Sequence, residues 1–137
     1  MFTKIMVPID LGHADQMDRA VSAAVKLAGE TARIVFVGAT APQPSSVARS
    51  PEEFGEKLAQ FAADAGARHG VSTDTLVEIS HDPATDMDDV LIRAVKDSGA
   101  DCVVMASHDP NLGDRIWPSN GSRVASHAHC SVFLVRP

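Results

Sequence analysis

Cysteine is scarce in this sequence: Cys102 and Cys130 are the only two in 137 residues. A chain of this length can build one core without disulfides or a metal, so no cross-linked scaffold is needed. With no secretion signal in view, the expectation is reduced thiols in a cytoplasm. Basic residues are outnumbered, 12 Lys and Arg against 18 Asp and Glu, for a formal charge of −6. That balance argues against nucleic acid as a partner, because phosphate backbones demand a basic patch. No apolar run approaches the roughly 18 residues of a membrane helix, which argues against membrane insertion. The apolar start of the chain carries one lysine and is only strand-length, too short for a signal peptide. Gly-x-x-x-x-Gly-Lys-Ser/Thr and Gly-x-Gly-x-x-Gly are both missing. So are paired carboxylates placed for acid–base work and a nucleophile beside an obvious base. Nothing announces catalysis.

What is present is a regular succession of strands and helices, with 45% hydrophobic and 22% charged residues. Phe2 to Ile9 is a buried-strand candidate ending around Pro8, followed by the tight connection Asp10-Leu11-Gly12-His13-Ala14. Asp15 is the expected N-cap of a helix whose Met17, Ala20, Val21, Ala24, Val25 and Ala28 recur at helical spacing, closed by Gly29. Ile34-Val35-Phe36-Val37 is the next strand, carried by Gly38-Ala39-Thr40 to the carboxyl edge of the sheet. Residues 41–49, with Pro42, Pro44, Ser45 and Ser46, form a loop over that edge. Ser50-Pro51-Glu52-Glu53 is a capping box opening a helix with the stripe Phe54, Leu58, Phe61, Ala62 and Ala65. Thr75 to Ile79 alternates as a half-exposed strand does. Met87, Val90, Leu91, Ala94 and Val95 build a third helix, and Gly99 stops it. Asp101 to Ala106 and Cys130 to Val135 are further apolar strands. Between them run a polar loop and a helix of about two turns capped within Ser119-Asn120-Gly121-Ser122. Each strand but the last precedes a helix, so right-handed crossovers give a parallel sheet covered on both faces.

Asp10 follows the first strand at the edge where open α/β sheets bind ligands, and its plain alternative is a local Asx-turn. A receiver domain would want a second acid beside it, an acid ending the third strand and a Lys ending the fifth. The third strand ends Ile79-Ser80 and the fifth carries no Lys, which excludes phosphoacceptor chemistry. The stretch from Ser107 to Ser122 is the phosphate candidate, since amides at a helix N-terminus and the hydroxyls of Ser119 and Ser122 suit an anion. The competing reading is a helix cap with an empty pocket. His127, His129 and Cys130 invite zinc, but no second cluster stands at ligand spacing, so structural use is favoured and no metal site is expected.

Two stretches resemble the universal stress protein family. One is Ala106-Ser107-His108, then Ser119, then His127-Ala128-x-Cys130-Ser131-Val132-Phe133-Leu134-Val135-Arg136. The other is Lys4-Ile5-Met6-Val7-Pro8-Ile9-Asp10, similar to that family's first strand. The resemblance spans the chain and is strongest to the small single-domain branch whose last loop reads Ala-Ser-His-x-Pro. It implies one domain over residues 1–137, an adenine-nucleotide-α-hydrolase-like α/β fold. The sheet would be doubly wound and parallel, five strands in the order 3-2-1-4-5, with four helices, two on each face.

The resemblance further implies a cytoplasmic protein that binds ATP or AMP in a regulatory or sensing role, without significant catalysis. Adenine would sit by Pro8, Ile9, Asp10 and Ala39, the last a position where the family usually has Val. Phosphates would approach Ala106, His108, Ser119 and Asn120, and Met105 belongs to the same nucleotide-binding set. Any Mg²⁺ would have only Asp10 and Asp109 to turn to. The sequence departs from the family's Gly-x-x-Gly, nine residues, then Gly-Ser or Gly-Thr: Ala106 and Asp109 stand at the first two glycines, and Pro118-Ser119 or Gly121-Ser122 at the last pair. Ile116-Trp117 falls where the family packs apolar residues. The Ser-Gly-Gly-x-Asp-Ser loop of nucleotide-cleaving relatives is missing, and the lack of a metal cluster and of a base disfavours a weak hydrolase. A homodimer through Val132, Phe133, Leu134 and Val135 is expected, with a regulatory partner protein that the sequence does not identify. The alternative is a nucleotide-free dimeric interaction module whose glycine motif has decayed.

Overall fold

The computed structural model describes residues 1–107 and 120–136. Five strands form one sheet: β1 (Lys4–Pro8), β2 (Arg33–Thr40), β3 (Thr73–Ile79), β4 (Cys102–Ala106) and β5 (Ser131–Val135). The helices are α1 (Asp18–Ala28), α2 (Pro51–His69), α3 (Pro83–Ser98) and α4 (Asn120–His127). All strand pairs are parallel and the order is β3-β2-β1-β4-β5, as expected. Among the described residues, no helix is long and apolar enough to cross a membrane.

The unbroken apolar runs of the sequence occupy the centre of the sheet. Ile5, Met6 and Val7 of β1 and Cys102 to Met105 of β4 are essentially inaccessible. A strand covered by helices on both faces has no solvent side on which to place polar residues. Ile5 stands opposite Ile34 on one side and Cys102 on the other, and Phe36 packs edge-to-face on Phe61 of α2, with ring centroids 5.3 Å apart. The amino edge is pinned by Asp101. Its carboxylate accepts the Thr3 amide (2.9 Å), the Lys4 amide (3.1 Å) and the Thr3 hydroxyl (3.1 Å). Burial alone would raise this carboxyl, but those donors outweigh it and hold it below its ordinary value.

Helix ends follow the expected residues with two corrections. Gly70 and Gly99 close α2 and α3 at φ of 65° and 70°, a left-handed geometry that costs a Cβ-bearing residue energy. Asp15 is not the N-cap of α1. Asp10 instead caps a 3₁₀ segment, Leu11–Gln16, which absorbs Asp15, and α1 begins after Met17 with no side-chain cap. The capping box at Ser50 is half formed. Ser50 accepts the Glu53 amide at 3.1 Å, while the Glu53 carboxylate reaches past Ser50 to the Arg49 amide (3.3 Å) and guanidinium (3.2 Å).

Candidate functional site

The carboxyl ends of β1 and β2 open onto a cavity of about 350 Å³. Ile9, Asp10 and Ala39 of the expected set line it. Pro8 lies one residue behind, buried in β1. Met105 and Ala106 are buried at the end of β4, on the other side of β1, and do not line this cavity. His108 and Ser119 lie outside the described residues. Asn120 opens α4, and its side chain is likewise outside the description.

Asp10 serves the cavity and the local turn at once. Its Oδ1 accepts the Gly12 amide at 3.0 Å, and its Oδ2 accepts from His13 Nδ1 at 2.9 Å. Both oxygens are therefore held by the segment that follows β1, which fixes the carboxylate's position at the pocket rim. Of the two carboxylates the sequence offers to Mg²⁺, Asp10 is occupied in this way and Asp109 lies outside the described residues. Among the described residues no group of three or more His, Cys, Asp or Glu is placed to hold a metal. The described side chains do not fit a metal centre.

The rest of the wall comes from residues that pattern reading assigned to packing or loop. Thr40, Ser45, Val47, Phe54 and Met87 all face the cavity. Phe54 was legible as part of an apolar stripe, but its second role depends on Gly38. A Cβ at residue 38 would lie 2.6 Å from Phe54 Cε1, so glycine lets the ring lie against β2. The loop itself is tied down. Ser45 Oγ accepts the amides of Val47 (3.2 Å) and Ala48 (3.3 Å), and Lys57 Nζ donates to the Val47 carbonyl.

Just beyond β4, the Ser107 amide donates to Val135 O at 2.8 Å, extending the ladder with β5. Its hydroxyl oxygen is buried with no hydrogen-bond partner among the described residues. A buried polar atom left this way is exceptional in a folded protein and fits a place where a polar ligand group lands. Arg123 is drawn the other way, toward Asp88 (3.7 Å) and Asp89 (3.3 Å) of α3. The cysteines are both free thiols. Burial, with Cys130 and Asp101 nearby, pushes Cys102 up to about 11; burial and Asp101 also raise Cys130. Both therefore stay protonated near neutrality and are poor nucleophiles.

A doubly wound parallel sheet with a cavity outside its carboxyl ends defines an α/β protein of the class that takes ligands at that edge. The model of the Universal stress protein family matches residues 1–136, and the chain belongs to that family. It is 27% identical over 147 residues to universal stress protein G of Shigella flexneri, covering 99% of this chain and all of that one. A universal stress protein solved in complex with cAMP has a TM-score of 0.66 at 18% identity, over 98% of this chain and 97% of that one. An Arabidopsis thaliana family protein solved with AMP bound has a TM-score of 0.63 at 20% identity, over 98% and 91%. At these identities the structural likeness shows the shared fold.

Proposed function

We propose that this chain is a cytoplasmic universal stress protein, one domain over residues 1–137, that binds AMP or ATP to sense or regulate rather than to turn over substrate. The observation that carries the reading is the cavity of about 350 Å³, which gathers Ile9, Asp10 and Ala39 at the ends of β1 and β2. Its volume lies within the range of small-molecule pockets, roughly 300–1,000 Å³. The AMP and cAMP held by proteins of the same fold support an adenine nucleotide. Adenine would lie between Ile9, Ala39, Val47 and Phe54, with Pro8 behind β1's exit and Asp10 at the rim. The phosphate end would run toward Ala106, His108, Ser119 and Asn120, with Met105 in the same nucleotide-binding set. The Ser107 hydroxyl, without a partner among the described residues, supports a polar group there. On this reading the site binds without turnover, so ATP hydrolysis should stay at background.

The active form would be a homodimer through β5, where Phe133 and Leu134 are 49% and 41% exposed. Val132 is half-buried and Val135 packs inside its own chain, so the apolar contact falls to Phe133 and Leu134.

Thermal unfolding with AMP, ATP and FMN tests the nucleotide reading. A ligand at a hundredfold its Kd adds about 2.7 kcal/mol, roughly ten degrees in Tm for a domain of this size. AMP and ATP should both raise Tm and FMN should not. Ala39→Leu, which fills the cavity, should abolish the shift. A Tm indifferent to AMP and ATP would leave the nucleotide-free dimeric module as the function.

A further inference from the structure

At the opposite, amino edge of the sheet, α3 and the turn after α4 enclose a second cavity, of about 670 Å³. Gly99 and Ala100 lead into β4 there, and His129 lies just before β5. Its buried and half-buried members are apolar: Ile92, Val95, Ala100 and Ala128. Apart from Gly99, its exposed members are charged or imidazole-bearing, and their pairing is uneven. Asp89 is answered by Arg123 at 3.3 Å, and Arg93 by Glu78 at 3.0 Å. Lys96 has no ion-pair partner among the described residues. His127 Nδ1 donates to the Arg123 carbonyl at 3.0 Å, which leaves Nε2 uncommitted, and His129 also has no hydrogen-bond partner among the described residues.

We infer that this groove is a binding site for an amphipathic organic anion, an apolar chain ending in a carboxylate. The apolar floor would take the chain, and the unneutralised Lys96 ammonium would take the carboxylate, with the imidazoles of His127 and His129 alongside. Each half of the ligand answers one half of the cavity. An apolar molecule without charge would leave Lys96 unanswered, and a small anion without a chain would leave the floor in water. The site faces away from the cavity at the ends of β1 and β2, so it stands whether or not a nucleotide binds there.

Straight-chain carboxylates below their micelle concentrations are the probe, followed by methyl chemical shifts and calorimetry on the intact chain. Affinity should rise about fourfold per methylene from hexanoate to decanoate, the value of one buried CH₂. Shifts should concentrate at Ile92, Val95, Ala100 and Ala128. Lys96→Ala should weaken decanoate about threefold to fivefold, the worth of one part-exposed ion pair. Decanol, of equal length without charge, should lose its preference between wild type and that variant. Ile92→Trp, a change at a half-buried floor position outside the packed core, should block binding, and saturating AMP should not. Chain-length independence, an unchanged Lys96→Ala affinity, or displacement by AMP would each overturn the assignment. So would methyl shifts that follow protein concentration instead of ligand, which would mean that a second copy fills the groove.

Discussion

β3 and β5 lie at the two ends of the same sheet, so among the described residues each has a neighbouring strand on one side only. On β3, Thr73, Asp74 and Thr75 give a polar rim, and Arg33 pairs with Asp74 at 2.9 Å across the adjoining strand. Its most distinctive residue is Glu78, 7% exposed, whose Oε2 accepts from Arg93 at 3.0 Å. The other oxygen, Oε1, has no donor among the described residues. Its neighbour is the Asp97 carboxyl, which can bond it only when one of the two acids holds a proton. On β5, Ser131-Val132-Phe133-Leu134-Val135 carries no charge at all. Inward-turned charges and polar rims keep a sheet edge from pairing with another chain, and an apolar edge invites it. The contrast teaches that one edge is defended at the expense of a buried acid, while the other is left available.

Breaking the open edge should have the largest effect. Phe133→Lys puts an ammonium on the exposed strand, and the mass measured by light scattering should fall from dimer to monomer. A dimer of unchanged stability would remove β5 from the interface. Breaking the defended edge comes next. Arg93→Ala leaves the Glu78 carboxylate buried without its donor, at a cost of about 1–3 kcal/mol near neutral pH, read from urea unfolding. Burial first, and Asp97 second, raise the Glu78 pKa above its ordinary value. The folded chain therefore holds that proton more tightly than the unfolded chain does. Glu78 favours folding below its unfolded pKa, and this contribution is lost as pH rises through its folded pKa. Glu78→Gln should remove that slope from the stability–pH curve, and the penalty of Arg93→Ala should shrink in acid as Glu78 takes up its proton. The smallest effect is reserved for Ile79→Lys. Ile79 is as exposed as Phe133, at 50% against 49%, yet it lies on the defended edge. Its replacement should leave mass unchanged and stability within about 0.5 kcal/mol.

Helix stripes and glycine stops were legible because each rests on periodicity or on one residue's backbone freedom, whereas the sheet order was legible only through the resemblance to a known family. The candidate site was legible only where it coincides with a strand end, at Ile9, Asp10 and Ala39. Phe54 and Met87 read as ordinary core residues, since a stripe tells which face is buried and not what lies beyond its last turn. Asp10 was open to two readings, a turn and a pocket wall, and the structure gives it both positions. Asp15 failed as a cap because Asp10, five residues earlier, had already captured the Gly12 amide and started a tighter helix. The defended character of β3 was hidden as well, because Glu78 in an alternating strand looks like a solvent-facing residue until Arg93 comes over it from α3.

The outer wall of the smaller cavity is held by contacts of short sequence range. Ser45 binds the amides two and three residues on, Glu53 reaches back to Arg49, and Lys57 grips the Val47 carbonyl. A wall stitched from neighbours along the chain closes small loops, which cost little entropy to form. It should therefore be in place before a ligand arrives. Association with such a rigid receptor needs little further ordering, so capture would resemble entry into a finished mould rather than the folding of a flap.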